Sequence, residues 1–167
     1  MNTVPSTLVI RAGSARDATR LEDVRRAAFA PVFASFRSIL GDDIYNLAQA
    51  REEEVQAGYL ASLFAAESKW EVYAAERDGI VVGFVSVWLN LETAIGEIGL
   101  NAVHPVWAGE GIGTEMYRYV IERMRQAGMR VATVSTGGDP SHAPARRAYE
   151  KAGFIVGIPS IWLCQKL

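Results

Sequence analysis

With 167 residues, 50% hydrophobic and 22% charged, the chain has the size and composition of one folded domain and not of a disordered or fibrous protein. Its formal net charge of -2 excludes the strongly basic balance on which phosphate-backbone binding relies, so no nucleic acid is expected as a partner. The single cysteine, Cys164, cannot close an intramolecular disulfide, residues 1–7 lack the basic and apolar regions of a signal peptide, and no apolar run reaches the roughly 18 residues of a membrane span, so a cytoplasmic protein with no membrane association is expected.

Residues 8–11 read as a first strand, after which Ser14 is placed to cap a helix carrying Leu21, Val24 and Ala28 on one face. Pro31 is expected to interrupt that helix. A second helical stretch is clearest over 52–66, where Val55, Tyr59, Leu63 and Ala66 recur at helical spacing. Residues 71–77 and 80–89 are rich in Val, Tyr, Phe and Trp, and the Asp78-Gly79 dipeptide between them predicts a tight hairpin. Another strand spans 94–103 and is ended by Pro105. The next helix, over about 111–127, carries Ile112, Met116, Tyr119, Val120 and Met124 on one stripe and stops at Gly128. Residues 131–135 form a short strand, Ser141 caps a last helix that ends at Gly153, and Phe154 folds back over its final turn. Residues 155–166 are expected to add a final pair of strands. No linker, repeat or charge run divides the chain, which predicts a single domain over 1–167. Strands that first run in hairpins and later alternate with helices predict an α/β (α+β) fold, a mixed, mostly antiparallel sheet with helices on both faces.

Between a strand and an amphipathic helix lies Ala108-Gly109-Glu110-Gly111-Ile112-Gly113. Glycines at this spacing let successive backbone N–H groups converge on an anion, the helix dipole adds partial positive charge, and the Thr114 hydroxyl can donate once more. A P-loop is excluded because no lysine follows Gly113, and a dinucleotide fingerprint is excluded because its third glycine would fall on Thr114 or Met116. A tight strand-to-helix connection with no ligand is the competing reading of the glycines alone.

The segment from Val103-His104-Pro105 through Gly113, followed at a helix and a strand's distance by His142-Ala143-Pro144-Ala145 and by Tyr149 and Gly153-Phe154, resembles the two signatures of the GNAT N-acetyltransferase superfamily. The resemblance covers about residues 71–155 well and the first 70 by topology. It implies a sheet splayed between strands 4 and 5, here 94–103 and 131–135, with an acyl-CoA in the split. The cofactor would be acetyl-CoA as acyl donor, its pyrophosphate held mainly by the backbone of 108–114, with Ala145 and Tyr149 beside it. Two positions depart from the family: Ala108 stands where Arg or Gln is usual but still offers its N–H, and His142 stands where Asn is common and can donate to the pantetheine arm. The resemblance also admits a homodimer.

Acyl transfer from a thioester to an amine needs a neutral amine, a polarised carbonyl and a protonated leaving thiol. An amine of lysine type has a pKa near ~10.4, so a base or water chain must take its proton. Glu97 is the first candidate, although a solvated or ion-paired strand carboxylate fits it equally because a bulge would shift strand parity there, and Glu92 is the second. For the carbonyl, the resemblance implies a backbone N–H near Ala102 and Val103, acting as an oxyanion donor. Tyr149 can protonate the departing thiolate, as the matching tyrosine does in the family, against the alternative of a core aromatic. His104 reads as a loop residue, Arg146 and Arg147 as a solvated helix face, and Trp88, Trp162 and Cys164 as strand packing. His104 and His142 have no third ligand at metal spacing, so no metal is expected.

Pro31 to Phe36 with Tyr45 and Tyr59 offer a partly apolar acceptor site, with helix packing as the alternative. The expected activity is N-acetyl transfer to a primary amine of a small molecule or a protein or peptide by direct attack in a ternary complex. The competing function is a catalytically silent acyl-CoA-binding sensor or regulatory domain.

Overall fold

The computed structural model describes residues 7–167, the side chain of Ala57 apart; residues 1–6, most of the segment read above as free of a targeting signature, lie outside the described residues. Five strands form one sheet in chain order: β1 (Leu8–Ala12), β2 (Trp70–Arg77), β3 (Ile80–Asn90), β4 (Ile95–Val103) and β5 (Val131–Val134). β1 to β4 pair antiparallel and β4 with β5 parallel. Helices α1 (Ala18–Ala48) and α2 (Ala50–Ser62) pack on one face, α3 (Ile112–Gln126) and α4 (Ala143–Ala152) on the other.

Both faces being covered explains why residues 81–87 of β3 are buried without interruption. Toward α3, Tyr73, Val85 and Ile98 meet Met116, Val120 and Met124. Toward α1, Val72, Ala74 and Phe84 meet Leu21 and Val24, each fully buried aliphatic side chain stabilising the fold by about 2 kcal/mol. Asp78 (φ 50°) and Gly79 (φ 80°) form the left-handed pair that a type I′ hairpin requires, as expected from the dipeptide. Ser14 heads a 3-10 turn, Ala15–Asp17, that leads into α1, and its N–H donates to Asp17 Oδ2 at 2.8 Å.

Four expectations are corrected. Pro31 does not interrupt α1: it sits on the exposed side, where water can take the carbonyl left without a partner, and the helix runs on past it. The break comes instead at Gly41, whose φ of 73° and ψ of 160° leave helical space. α2 begins and ends earlier than 52–66, and it buries Leu60 while Val55 and Tyr59 stay exposed. On α3 the buried tyrosine is Tyr117 and not Tyr119. Residues 155–166 form no strands: Val156 is 94% exposed, Trp162 and Cys164 do not pack, and Lys166 Nζ reaches Asp43 at 2.5 Å. An alternating apolar pattern needs a partner edge, and β5 is only four residues long. Among the described residues, no helix is long and apolar enough to cross a membrane.

Candidate active site

β4 organises the site through a bulge. Gly96 and Ile98 face α3, and a Cβ on Gly96 would lie 2.6 Å from Met124. Gly99 and Leu100 then both face the opposite side: a Cβ on Gly99 would run into the Trp70 ring, and Leu100 packs with the α1-side core. This lost alternation coincides with the register slip opposite Ser86, whose hydroxyl donates to the Leu100 carbonyl at 3.0 Å. Pairing of β4 with β5 stops at Ile98 and Val134, so residues 99–103 have no strand on that side. The sheet is split there. The His104 N–H donates to Val82 of β3 at 2.8 Å, and strand alternation therefore turns the N–H groups of Val103 and Asn101 toward the open side, with Ala102 directed at β3. Of the two residues expected to supply an oxyanion donor, Val103 is the one so directed.

Tyr149, 5% exposed, reaches from α4 to this half of β4. Its hydroxyl accepts from Asn101 Nδ2 at 3.1 Å, while Tyr117 donates to Asn101 Oδ1 at 2.8 Å and the two tyrosine rings lie 4.5 Å apart. Asn101 Nδ2 also donates to the Gly99 carbonyl at 2.8 Å, which ties the amide to the bulge. Burial raises the Tyr149 pKa and the contacts with Asn101 and Tyr117 only partly offset it, so the phenol stays protonated. Burial, reinforced by Tyr149, pushes Tyr117 up as well. Phe154 packs edge-on to Tyr149 at 6.0 Å, and its N–H closes the end of α4 on the Tyr149 carbonyl at 3.0 Å, with Gly153 at φ 108° making the turn. Ala145, one turn earlier, packs on the same core.

The glycine turn sits at the head of α3. Gly109 (φ 84°) and Gly111 (φ 82°) are left-handed, and Gly111 is the N-cap. The first helical bond runs from Glu115 to the Gly111 carbonyl, so the N–H groups of Ile112, Gly113 and Thr114 have no acceptor within the helix. Ala108 differs from expectation, because its N–H is already donated to Pro105 at 3.0 Å. Glu110 turns outward to an ion pair with Arg77, whose guanidinium lies 5.6 Å from the Trp107 ring centre. His104 accepts the Val106 N–H at 3.3 Å, as suits a loop residue.

Glu97 stands on the face opposite Ile98, paired across from Trp88, and no described residue binds its half-buried carboxylate. His142, at the head of α4, lies 2.5 Å from Asp139 through Nδ1 and stacks on Phe36 of α1 at 5.9 Å. Arg146, read as solvated, instead donates to the carbonyls of Gly137 (2.5 Å) and Asp139 (2.8 Å). Phe33, Phe36, Val55 and Tyr59 line a cavity of about 380 Å³ with Gln49, Glu52 and Gln56. Tyr45 is not part of it, being buried with its hydroxyl donated to Glu53 at 2.6 Å. Asn101, Tyr117 and Asp139 were missed from sequence. The spacing of Asp139 and His142 was the one available signal, since the others meet only through tertiary packing. Among the described residues, no group of three His, Cys, Asp or Glu side chains could hold a metal.

A mixed sheet split between β4 and β5, with a helix-capping glycine turn beside the split and a buried tyrosine in it, places the chain in a class of mixed α/β folds covered by helices on both faces. The acetyltransferase (GNAT) family matches residues 35–154, and the chain belongs to that family. It is 36% identical over 87 residues to a mycothiol acetyltransferase of Sanguibacter keddieii, covering 48% of this chain and 26% of that protein. It is 30% identical over 112 residues to an aminoglycoside N(6')-acetyltransferase type 1 of Klebsiella pneumoniae, covering 60% of this chain and 55% of that protein. The chain thus spans about a quarter and about half of the lengths of these two relatives. A GNAT family acetyltransferase from Brucella melitensis, solved in complex with acetyl-CoA, superposes with a TM-score of 0.59 at 26% identity, covering 79% of this chain and 78% of that one.

Proposed function

We propose that the chain is an N-acetyltransferase that passes the acetyl group of acetyl-CoA to a primary amine of a small molecule or of a protein or peptide while both are bound. The observation that carries this reading is the protonated Tyr149 hydroxyl in the unpaired half of the sheet, fixed by Asn101 and Tyr117. The pyrophosphate takes the free N–H groups at the head of α3, and the pantetheine runs along the open edge of β4. The thioester oxygen takes the Val103 N–H. As the amine nitrogen bonds to the acetyl carbon and the C–S bond breaks, Tyr149 gives its proton to the sulfur. Glu97, on the α1-facing side of β4, is the carboxylate offered to a cationic amine that approaches from that face. The acetyl-CoA complex of the Brucella melitensis neighbour supports the donor, and a relative named for aminoglycoside N-acetylation supports an amine acceptor.

Thiol release from acetyl-CoA, followed over a panel of primary amines, tests the proposal. At least one amine should stimulate release, and Tyr149→Phe should lower turnover by about a hundredfold while leaving acetyl-CoA binding within about threefold. Tight acetyl-CoA binding with no release for any amine would leave the silent sensor as the reading.

A further inference from the structure

Asp139 is bound from several directions. Its Oδ2 accepts from Ser35 of α1 at 2.9 Å, from the Ser141 N–H at 3.0 Å and from the Ser141 hydroxyl, and its Oδ1 faces His142 Nδ1 at 2.5 Å. Burial opposes ionisation of this carboxyl, but the hydrogen bonds from Ser141, His142 and Ser35 outweigh it and hold the group down at about 2. An ionised carboxylate only accepts, so Nδ1 carries a proton toward it and Nε2 is the ring nitrogen left to take one. No described residue binds Nε2.

The surroundings fix this pair closely. A Cβ on Gly137 would stand 2.5 Å from Nδ1 and 2.7 Å from Asp139 Oδ1, so the backbone of the loop lies against both groups and a side chain there would push the pair aside. Arg146 ties the same loop down through the Gly137 and Asp139 carbonyls. Phe36 stacks on the imidazole and also lines the α1–α2 cavity, so one ring is common to both. The charged groups around the imidazole are Asp139 and Arg146, while α1 presents the uncharged Ser35 and Phe36. Glu97, by contrast, has no partner among the described residues to set its orientation.

We propose that His142, oriented by Asp139, is the proton acceptor for the attacking amine in place of the pantetheine donor expected from its sequence position, an assignment that rests on the transferase reading above. As the C–N bond forms, the amine nitrogen passes a proton to Nε2; as the C–S bond breaks, the Tyr149 hydroxyl passes one to sulfur. Solvent then returns a proton from the imidazolium to the tyrosinate. One amine and one thioester become one amide and one thiol, with no other reactant.

The same hydrogen bonds would also serve as a mere helix cap, so the test separates the two. The chain has two histidines, His104 and His142, which makes the imidazole nitrogens of the ¹⁵N-labelled protein assignable by NMR. The wild type should show His142 as the Nδ1–H tautomer, and Asp139→Asn should lose that preference. His142→Asn keeps a donor at the cap but cannot take a proton. Its kcat/KM for the amine should fall about a hundredfold, the acidic limb of its pH profile should disappear, and acetyl-CoA affinity should stay within about threefold. Added imidazole should restore part of the rate to His142→Ala, whereas Glu97→Gln should retain the acidic limb. An Nε2–H tautomer, or His142→Asn activity within about threefold of wild type with an unchanged pH profile, overturns the role alone. Absence of thiol release by the wild type with every amine overturns the transferase reading and this role with it.

Discussion

Asp17 accepts from the Ser14 N–H at 2.8 Å and from both terminal nitrogens of Arg11 at 2.8 and 3.0 Å, while Arg11 also reaches Glu76 at 2.9 Å. Asp17 and Arg11 together thereby join β1, the start of α1 and β2. The Arg11 hydrogen bonds, opposed by burial and aided by Ser14, hold its pKa down at about 2. A depressed carboxylate contributes stability that is complete above its ordinary value of 3.8 and is lost as pH falls to about 2. Asp17→Asn should therefore cost about 2 kcal/mol in urea unfolding at pH 7 and little at pH 2. An equal cost at both values would show that the charge is not responsible. At this scale the sequence was readable where chemistry follows from spacing along the chain, as for Tyr149 four residues after Ala145 and before Gly153-Phe154. It was not readable for Asn101 with Tyr149 or Ser35 with Asp139, which lie 48 and 104 residues apart and meet only in the folded protein.

The head of α3 shows what an element contributes beyond its residues. Gly111 at φ 82° ends the turn and leaves the first N–H groups of the helix unpaired, and a Cβ there would meet no neighbour. The demand for glycine is thus one of backbone conformation and not of space. Gly111→Val should abolish the rise in melting temperature that CoA produces, measured against the variant's own ligand-free melting, which the strained backbone lowers. A ligand-induced rise equal to that of wild type would remove the turn from the pyrophosphate site. The turn, the hairpin and the end of α4 were legible because glycine at positive φ is a local requirement. The β4 bulge was legible only as an uncertainty in strand parity around Glu97, since the residues that define it, Ser86 and Trp70, belong to other strands. The continuation of α1 past Pro31 was hidden because an exposed proline can be tolerated where solvent meets its lost hydrogen bond.

Across the whole molecule, the class of fold followed from the order of strand and helix patterns, and the split sheet from the family resemblance. The tail misled, because alternation over 155–166 states what a strand would look like without supplying a neighbour. The acceptor side was the least legible, since α1 and α2 carry their apolar residues partly on exposed surface, as with Val55 and Tyr59.

The break at Gly41 bears on how that side behaves in time. Residues 42–62 are tied to the rest through a small set of buried side chains, Tyr45 and Leu60 among them, whereas β3 is buried on both faces. This segment should open in local excursions that leave the sheet closed. Its amides should exchange with deuterium roughly tenfold or more faster than those of β3, and equal protection in both would mean the two regions unfold as one. The wall around the α1–α2 cavity would then breathe on its own clock, and under the proposed function acceptors of differing bulk could enter without loosening the strands of the sheet.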